Sequence, residues 1–318
     1  MSQAELKQAD GLWFPADVII LRAEGIIFRV PKSILGARSV VFQGMFELPQ
    51  PAADGDAGME NETMDGIPVV HLHDSAKDVD VFLRAIFDSS YFMPPPSPVD
   101  INVVLGILRL SHKYDVKYLF RRAIDHLETI CPIGLSKLED MCTGGGSVTN
   151  YLSLASSLGV LPIFHRLGVT WLLPYACYKI GTHWVKALLE FGPAWDTLPQ
   201  DMKQTCLCLP MVQAEGTGLL YEALTPFSAC ASPDSCNLSK FKLLKARPQP
   251  EDIENQDPLI EVANMIDLYA DLNLCDTCAA DARERYHAVR ADIWNKLPAN
   301  CGLEEWDVLL EQRRLALE

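Results

Sequence analysis

At 318 residues the chain has room for two domains, and an apolar fraction of 49% is enough for each to bury a core. A formal net charge of −15 excludes a nucleic-acid backbone as the natural partner, because phosphates demand clustered Lys and Arg. No apolar run approaches the roughly 20 residues needed to cross a bilayer, and the opening MSQAELKQADGLW lacks the apolar stretch of a secretory leader. The expectation is an intracellular protein of the cytoplasm or nucleus, without a membrane partner, whose ten cysteines sit in a reducing compartment where structural disulfides are rare.

In chain order, residues 18–21 form a continuous apolar run that reads as a buried strand. Gly25 supplies a turn, and residues 26–30 return as a second strand. Pro31 suits a helix start, where its missing N–H costs nothing. Ile34, Leu35, Val40, Val41, Met45 and Phe46 then recur at helical spacing. Residues 49–66 carry Asp54, Asp56, Glu60, Glu62 and Asp65 with no basic residue, and read as a solvated loop. IPVVHLHD (67–74) reads as another strand, with Asp74 or Ser75 available to cap a helix. His71 and His73 would share one face of that strand, but no third ligand is near, so an exposed strand face is expected. Val79, Phe82, Leu83, Ile86 and Phe87 make an apolar helical stripe. MPPPSP (93–98) is a stiff connector. Two more helices follow, one through Ile101, Val104, Leu105 and Leu108, the next through Leu119, Ala123, Leu127 and Ile130, ended by Cys131-Pro132. The Gly-rich TGGGS (143–147) reads as a boundary. The fold class is therefore α+β: a mixed unit over 10–133 with a small sheet flanked by helices, a linker over 134–147, and an all-helical domain over 148–318.

In the second half the helical candidates are 148–158, 171–189, 210–224, 258–272, 276–297 and 303–317. The fourth shows a stripe of Leu259, Val262, Ile266 and Tyr269, and 247–258 is a polar, proline-bearing loop. Trp294 and Trp306 read as core anchors of the last two helices. Cys206 and Cys208, in CLCL, read as buried core. Cys275-Asp276-Thr277-Cys278 is a C-x-x-C at a helix start, where the helix dipole favours thiolate. CASPDSC places Cys230 and Cys236 in a Ser/Pro/Asp loop. Four thiolates would suit a structural zinc. Against it stand a gap of five residues within the first pair and 38 residues between the pairs, more than a zinc ribbon uses. Partly buried free cysteines, or a redox pair, remain as alternatives, the latter without the strand–helix context of a thioredoxin. No phosphate-binding loop, dinucleotide fingerprint, H-E-x-x-H or G-x-S-x-G occurs, so no enzyme and no cofactor beyond the zinc is expected.

The first half, taken with specific residues, resembles the BTB/POZ domain. The resemblance rests on Asp17-Val18 before a strand, Phe28 closing the second, Lys32, then Leu35, Ser39 and Phe42 followed by Met45-Phe46. It continues through Phe82 to Phe87 and Tyr91, and through Leu108, Ser111, Tyr114, Val116 and Leu119. Pro31 departs from it, standing where the family often has His, and the acidic loop is longer than usual. SSYFMPPP and the chain plan resemble the BTB proteins of mushroom-forming fungi. The resemblance implies a three-stranded sheet clasped by helices and an apolar face that docks protein, with Asp17, Lys32, Phe82, Tyr91 and Tyr114 as interface residues. Asp17 and Lys32 would be the charged pair near a homodimer axis. It implies a non-enzymatic interaction protein that self-associates or docks a partner, including the role of substrate adaptor of a cullin-type ubiquitin ligase. The alternative it carries is a transcriptional co-regulator that does not itself bind DNA.

Overall fold

The computed structural model describes residues 17–47, 62–143, 152–183, 185–225, 230–245, 257–259 and 274–318. The chain divides into two compact units, Met1–His126 and Leu127–Glu318. The first is mixed α+β and the second helical, as the residue patterns led us to expect at that coarse level.

In the first unit, β1 (Val18–Ala23) and β2 (Ile26–Pro31) form an antiparallel hairpin in register from Val18 opposite Pro31 to Ala23 opposite Ile26. Glu24 takes a positive φ of 50° in the turn, and its carboxylate accepts the Ala76 amide at 3.1 Å. β4 (Ile67–Leu72) lies parallel to β1, so β1 is central, with Ile19, Ile20, Leu21 and Ala23 buried and Arg22 alone exposed among them. The expected three strands become four. Thr63–Met64 forms a short β3 against β4, giving the order β2-β1-β4-β3. The β3–β4 turn is Asp65-Gly66, both at positive φ, so the far end of the acidic stretch is a tight hairpin rather than open loop.

The expected single helix after Pro31 is two helices, α1 (Lys32–Arg38) and α2 (Val40–Glu47). Ser39 is extended between them (φ −132°, ψ 116°). Its hydroxyl donates to Tyr114 O at 2.6 Å and accepts the Phe42 amide at 3.1 Å, so one buried side chain both starts α2 and ties it to a distant element. Ser75 accepts the Asp78 amide at 3.1 Å and starts α3 (Ala76–Phe87). Asp100 accepts the Asn102 amide at 2.8 Å and starts α4 (Ile101–Lys113). α5 spans Lys117–Glu128. α3 and α4 pack closely at Gly106, where a Cβ would stand 2.9 Å from both Asp78 Oδ1 and Val81 Cγ2. Arg109 makes two bonds to Asp78, at 2.8 and 2.9 Å, across the same pair.

The second unit holds α6 (Leu135–Thr143), α7 (Leu154–Leu167), a 3-10 turn at Thr170–Leu172, α8 (Leu173–Gly181) and α9 (Val185–Leu189). Then come α10 (Pro193–Asp196), α11 (Gln200–Leu224), α12 (Pro233–Lys245), α13 (Asp276–Asn300) and α14 (Trp306–Ala316). α6 lies in the stretch read as linker, and 144–147 fall outside the described residues. The greasy VTWLLPYACY is the centre of this unit, with Trp171, Leu172, Tyr175, Ala176 and Tyr178 buried. Gly181 lets α8 approach α11, since a Cβ there would meet Gln213 Cγ at 2.8 Å. The helix expected over 258–272 lies almost wholly outside the described residues. Its described start is pinned: Tyr178 and Lys179 both donate to Asp257, and Arg290 donates to Leu259 O at 2.8 Å. Trp294 and Trp306 are buried and stacked at 5.3 Å, the Trp306 indole donating to Trp294 O at 2.9 Å, which makes them the core anchors expected. Among the described residues no helix is long and apolar enough to cross a membrane.

Candidate metal centre

The segment CASPDSC is not one loop. Its Ser-Pro-Asp is a helix-start signal, with Pro233 as the first residue of α12 and Asp234 in the first turn, where both residue types are favoured. Cys230 therefore precedes the helix and Cys236 lies in its first turn, its amide donating to Ser232 O at 3.0 Å. The second pair repeats the plan, with Cys275 capping α13 and Cys278 one turn in. Each half-site thus offers one thiol from the approach to a helix and one from its first turn.

The two helix starts bring all four sulfurs within 4.8 Å of one another. Cys230 Sγ and Cys275 Sγ are 3.7 Å apart. A tetrahedral zinc with Zn–S bonds of about 2.3 Å requires sulfur–sulfur edges of about 3.8 Å. Cys236 and Cys278 are buried, while Cys230 and Cys275 are partly exposed. Backbone amides point at the sulfurs: Ser232 N–H donates to Cys230 at 3.3 Å and Cys275 N–H to Cys236 at 3.2 Å. Such amides stabilise thiolates and fix their orientation. The amide of Cys278, then that of Ala231 and the neighbouring thiols, hold the Cys275 thiol down to about 6. Lys240, one turn beyond Cys236 on α12 and only 1% exposed, places Nζ 3.4 Å from Cys278 Sγ. Four convergent soft ligands can hold a metal ion, and with all four positions from protein such a centre is closed.

The spacing objection fails for a physical reason. Ribbon spacings apply when each pair sits on one tight loop. Here each pair straddles a helix start, and the helices, not the intervening chain, bring the pairs together. Lys240 was missed altogether. Its signal, a lysine four residues after a cysteine in CNLSK, becomes legible only once that segment is read as a helix.

Elsewhere the cysteines behave differently. Cys206 is buried as expected, its thiol pushed up to about 12 by burial. Cys208 is exposed, which corrects the expectation for CLCL: on a helix two residues apart face opposite ways, whereas alternate strand positions would share a face. Hydrogen bonding to Cys301, then burial, raises Cys177. His71 binds Glu62 rather than any metal group, and that contact, with Arg22 at 3.3 Å, holds Glu62 below the usual carboxylate range.

The structure also places the five residues proposed for an interface, and two of them need correcting. Phe82 and Tyr114 are buried in the first unit. Tyr114 stacks on Phe42 at 4.5 Å and donates to Asp74 Oδ2 at 2.5 Å, and burial raises its phenol far above the ordinary range. Both are core residues here and present no surface to a partner. Tyr91 is partly exposed, beneath the Arg84 guanidinium at 6.0 Å. Asp17 and Lys32 are partly exposed and joined through the backbone, Lys32 N–H donating to Asp17 O at 3.1 Å. The Lys32 ammonium lies over the Phe46 ring at 5.3 Å. Asp17 Oδ1 is buried and meets no hydrogen-bond partner among the described residues. No family model, no curated protein and no solved structure matches this chain.

Proposed function

We propose that this chain is a non-enzymatic protein–protein interaction protein, with a BTB/POZ-like docking unit followed by a helical unit held by a structural zinc. One observation carries the docking reading. The first unit leaves β-branched apolar side chains in solvent on β2 and α2: Ile26 at 50%, Ile27 at 49%, Val40 at 65% and Val41 at 41% exposure. Such residues gain about 25 cal/mol for each Å² of apolar surface removed from water, and a second protein surface supplies that cover. The order hairpin, two short helices, parallel strand and helical pair supports the BTB/POZ reading. The occupant is a second copy, because β2 is an outer strand of the sheet and the exposed isoleucines stand on it. The centre formed by Cys230, Cys236, Cys275 and Cys278 is read as structural because four protein ligands leave no position for water or substrate.

Sedimentation equilibrium of the full chain tests the reading. Wild type is expected to self-associate, and Ile27→Asp/Val40→Asp to move it to monomer by more than tenfold in dissociation constant. Asp17→Ala/Lys32→Ala tests whether the partly exposed Asp17 carboxylate belongs to the same contact. A wild type that stays monomeric at all concentrations rejects self-association. Affinity capture then separates the two downstream roles: recovery of a cullin supports the adaptor, and recovery of chromatin-bound co-repressors alone moves the assignment to the co-regulator. One zinc per chain by elemental analysis supports the centre, and a metal-free protein rejects it.

A further inference from the structure

We propose that Cys230 and Cys275 are an oxidation site, closed to a disulfide by a hydroperoxide, and that this bridge takes over from the metal in joining the starts of α12 and α13. The proposal rests on the zinc reading above and deepens it. The four sulfurs are not equivalent. Cys236 and Cys278 are fully buried, each in the first turn of its helix. Cys230 and Cys275 are partly exposed and stand outside the helices, one on the approach to α12 and the other capping α13. Metal ligands of this kind are all thiolates, so access decides which of them an oxidant reaches. A peroxide arriving from solvent meets Cys230 and Cys275 first. Their sulfurs are 3.7 Å apart. A disulfide needs about 2.05 Å, so the pair has to close by less than about 2 Å. Side-chain rotation and a small shift of the approach segments supply that movement without unwinding either helix, whereas the helices themselves fix Cys236 and Cys278.

One sulfur of the pair attacks a peroxide oxygen. The O–O bond breaks, a sulfenic acid forms, and the other oxygen leaves as alcohol or water after taking a proton from solvent. The second sulfur then attacks the sulfenic sulfur, the S–O bond breaks, water leaves with a second proton, and the S–S bond forms. The two sulfurs are oxidised and the peroxide takes up both electrons. Zinc has no redox chemistry and leaves as the divalent ion. Only Cys236 and Cys278 then remain as ligands, two where the closed centre had four, and they take up protons as thiols. The bridge joins residues 45 positions apart, so it ties together the same two helix starts. A bond within either pair, Cys230 to Cys236 or Cys275 to Cys278, would release the metal and join nothing.

The test adds hydrogen peroxide stepwise to the zinc-loaded full chain carrying Cys208→Ser, which removes the exposed thiol of α11 from the count. Disulfides are located by differential alkylation and peptide mapping, and released zinc is read with a chromophoric chelator. Expected are the loss of two thiols and the release of one zinc per chain, with a peptide cross-linked through Cys230 and Cys275 as the first disulfide. Dithiothreitol is expected to return both thiols. The map is made on intact ligands, so it does not depend on a cysteine variant that fails to fold. A first disulfide at Cys275–Cys278, at Cys230–Cys236 or at the hydrogen-bonded Cys177 and Cys301 overturns the proposal, as does loss of zinc with no disulfide. A chain that binds no stoichiometric zinc overturns instead the zinc reading, and with it the exchange of metal for bridge. The map then still decides whether Cys230 and Cys275 are the oxidation site.

Discussion

Ser39 stands where α1 ends, and its hydroxyl has two partners, Tyr114 O and the Phe42 amide. Alanine there removes the start signal of α2 and leaves a buried carbonyl with one bond fewer. Loss of an N-terminal cap costs about 0.5–2 kcal/mol and an unmet buried acceptor about 1–3 kcal/mol. Ser39→Ala is expected to lower stability by about 2 kcal/mol in urea melts of the full chain, and a change below 0.5 kcal/mol would show that the two bonds carry no net weight. Cys275 supports a prediction of pH dependence. Its thiol is lowered from an ordinary value of 9.0 to about 6, so the folded, metal-free protein favours thiolate. The resulting stabilisation is full above the ordinary value and is lost as pH falls through about 6. In metal-stripped protein, alkylation of Cys275 by iodoacetamide should rise to half its plateau near pH 6, before Cys230 and Cys236, whose thiols are raised. Reaction of Cys275 only above pH 8 would contradict this. At this scale the sequence was legible where one residue type has one local job, as at Ser75 and the Trp294–Trp306 pair. It was silent where a role depends on what the fold brings close. Nothing near Tyr114 in the chain says that Phe42 will stack on it and Asp74 accept its phenol, and nothing near Cys236 announces Cys275.

Among elements, short apolar runs placed β1, β2 and β4, and helical periodicity placed α3, α4 and α5. The failures have particular causes. A short apolar helix and its successor share one stripe across Ser39, so α1 and α2 look continuous until the serine's tertiary partner is known. β3 is only two residues long, and its signal was the Asp65-Gly66 turn rather than its own composition. α12 carries little amphipathic pattern because its buried face includes Lys240. α3 and α4 illustrate packing that composition does not announce. They approach so closely at Gly106 that a side chain has no room, and the Asp78–Arg109 pair fixes their register. Gly106→Val is expected to cost about 1–3 kcal/mol by overpacking, with the Asp78–Arg109 contact displaced. Val81→Ala should relieve part of that cost in a double-mutant cycle of thermal melts, and strict additivity of the two changes would show that the α3–α4 contact is not the source.

Across the whole chain, the cysteine cluster and the first unit draw on separate parts. The described core of the first unit is built from Leu21, Leu35, Phe42, Phe82, Ile107 and Leu108, and no cluster cysteine belongs to Met1–His126. All four cluster cysteines lie in the second unit, where Cys236 and Cys275 are 39 positions apart. A metal held there would join the starts of α12 and α13. It would stabilise the folded state by RT ln(1 + [L]/Kd), about 4 kcal/mol at a thousandfold excess over Kd, provided the unfolded chain binds weakly. Without it, the two helix starts converge on four cysteines with no divalent ion between them. Chelation is therefore expected to act on one unit only. Calorimetry of the full chain should show a transition that shifts down by several degrees with a strong chelator and returns when zinc is restored, beside one that does not move. Limited proteolysis of the chelated protein should remove the region around 230–275 first and leave a fragment containing residues 17–126. Loss of both units together on chelation would mean that the metal governs the entire fold. No shift at all would mean that the cysteine cluster is packing rather than a metal centre.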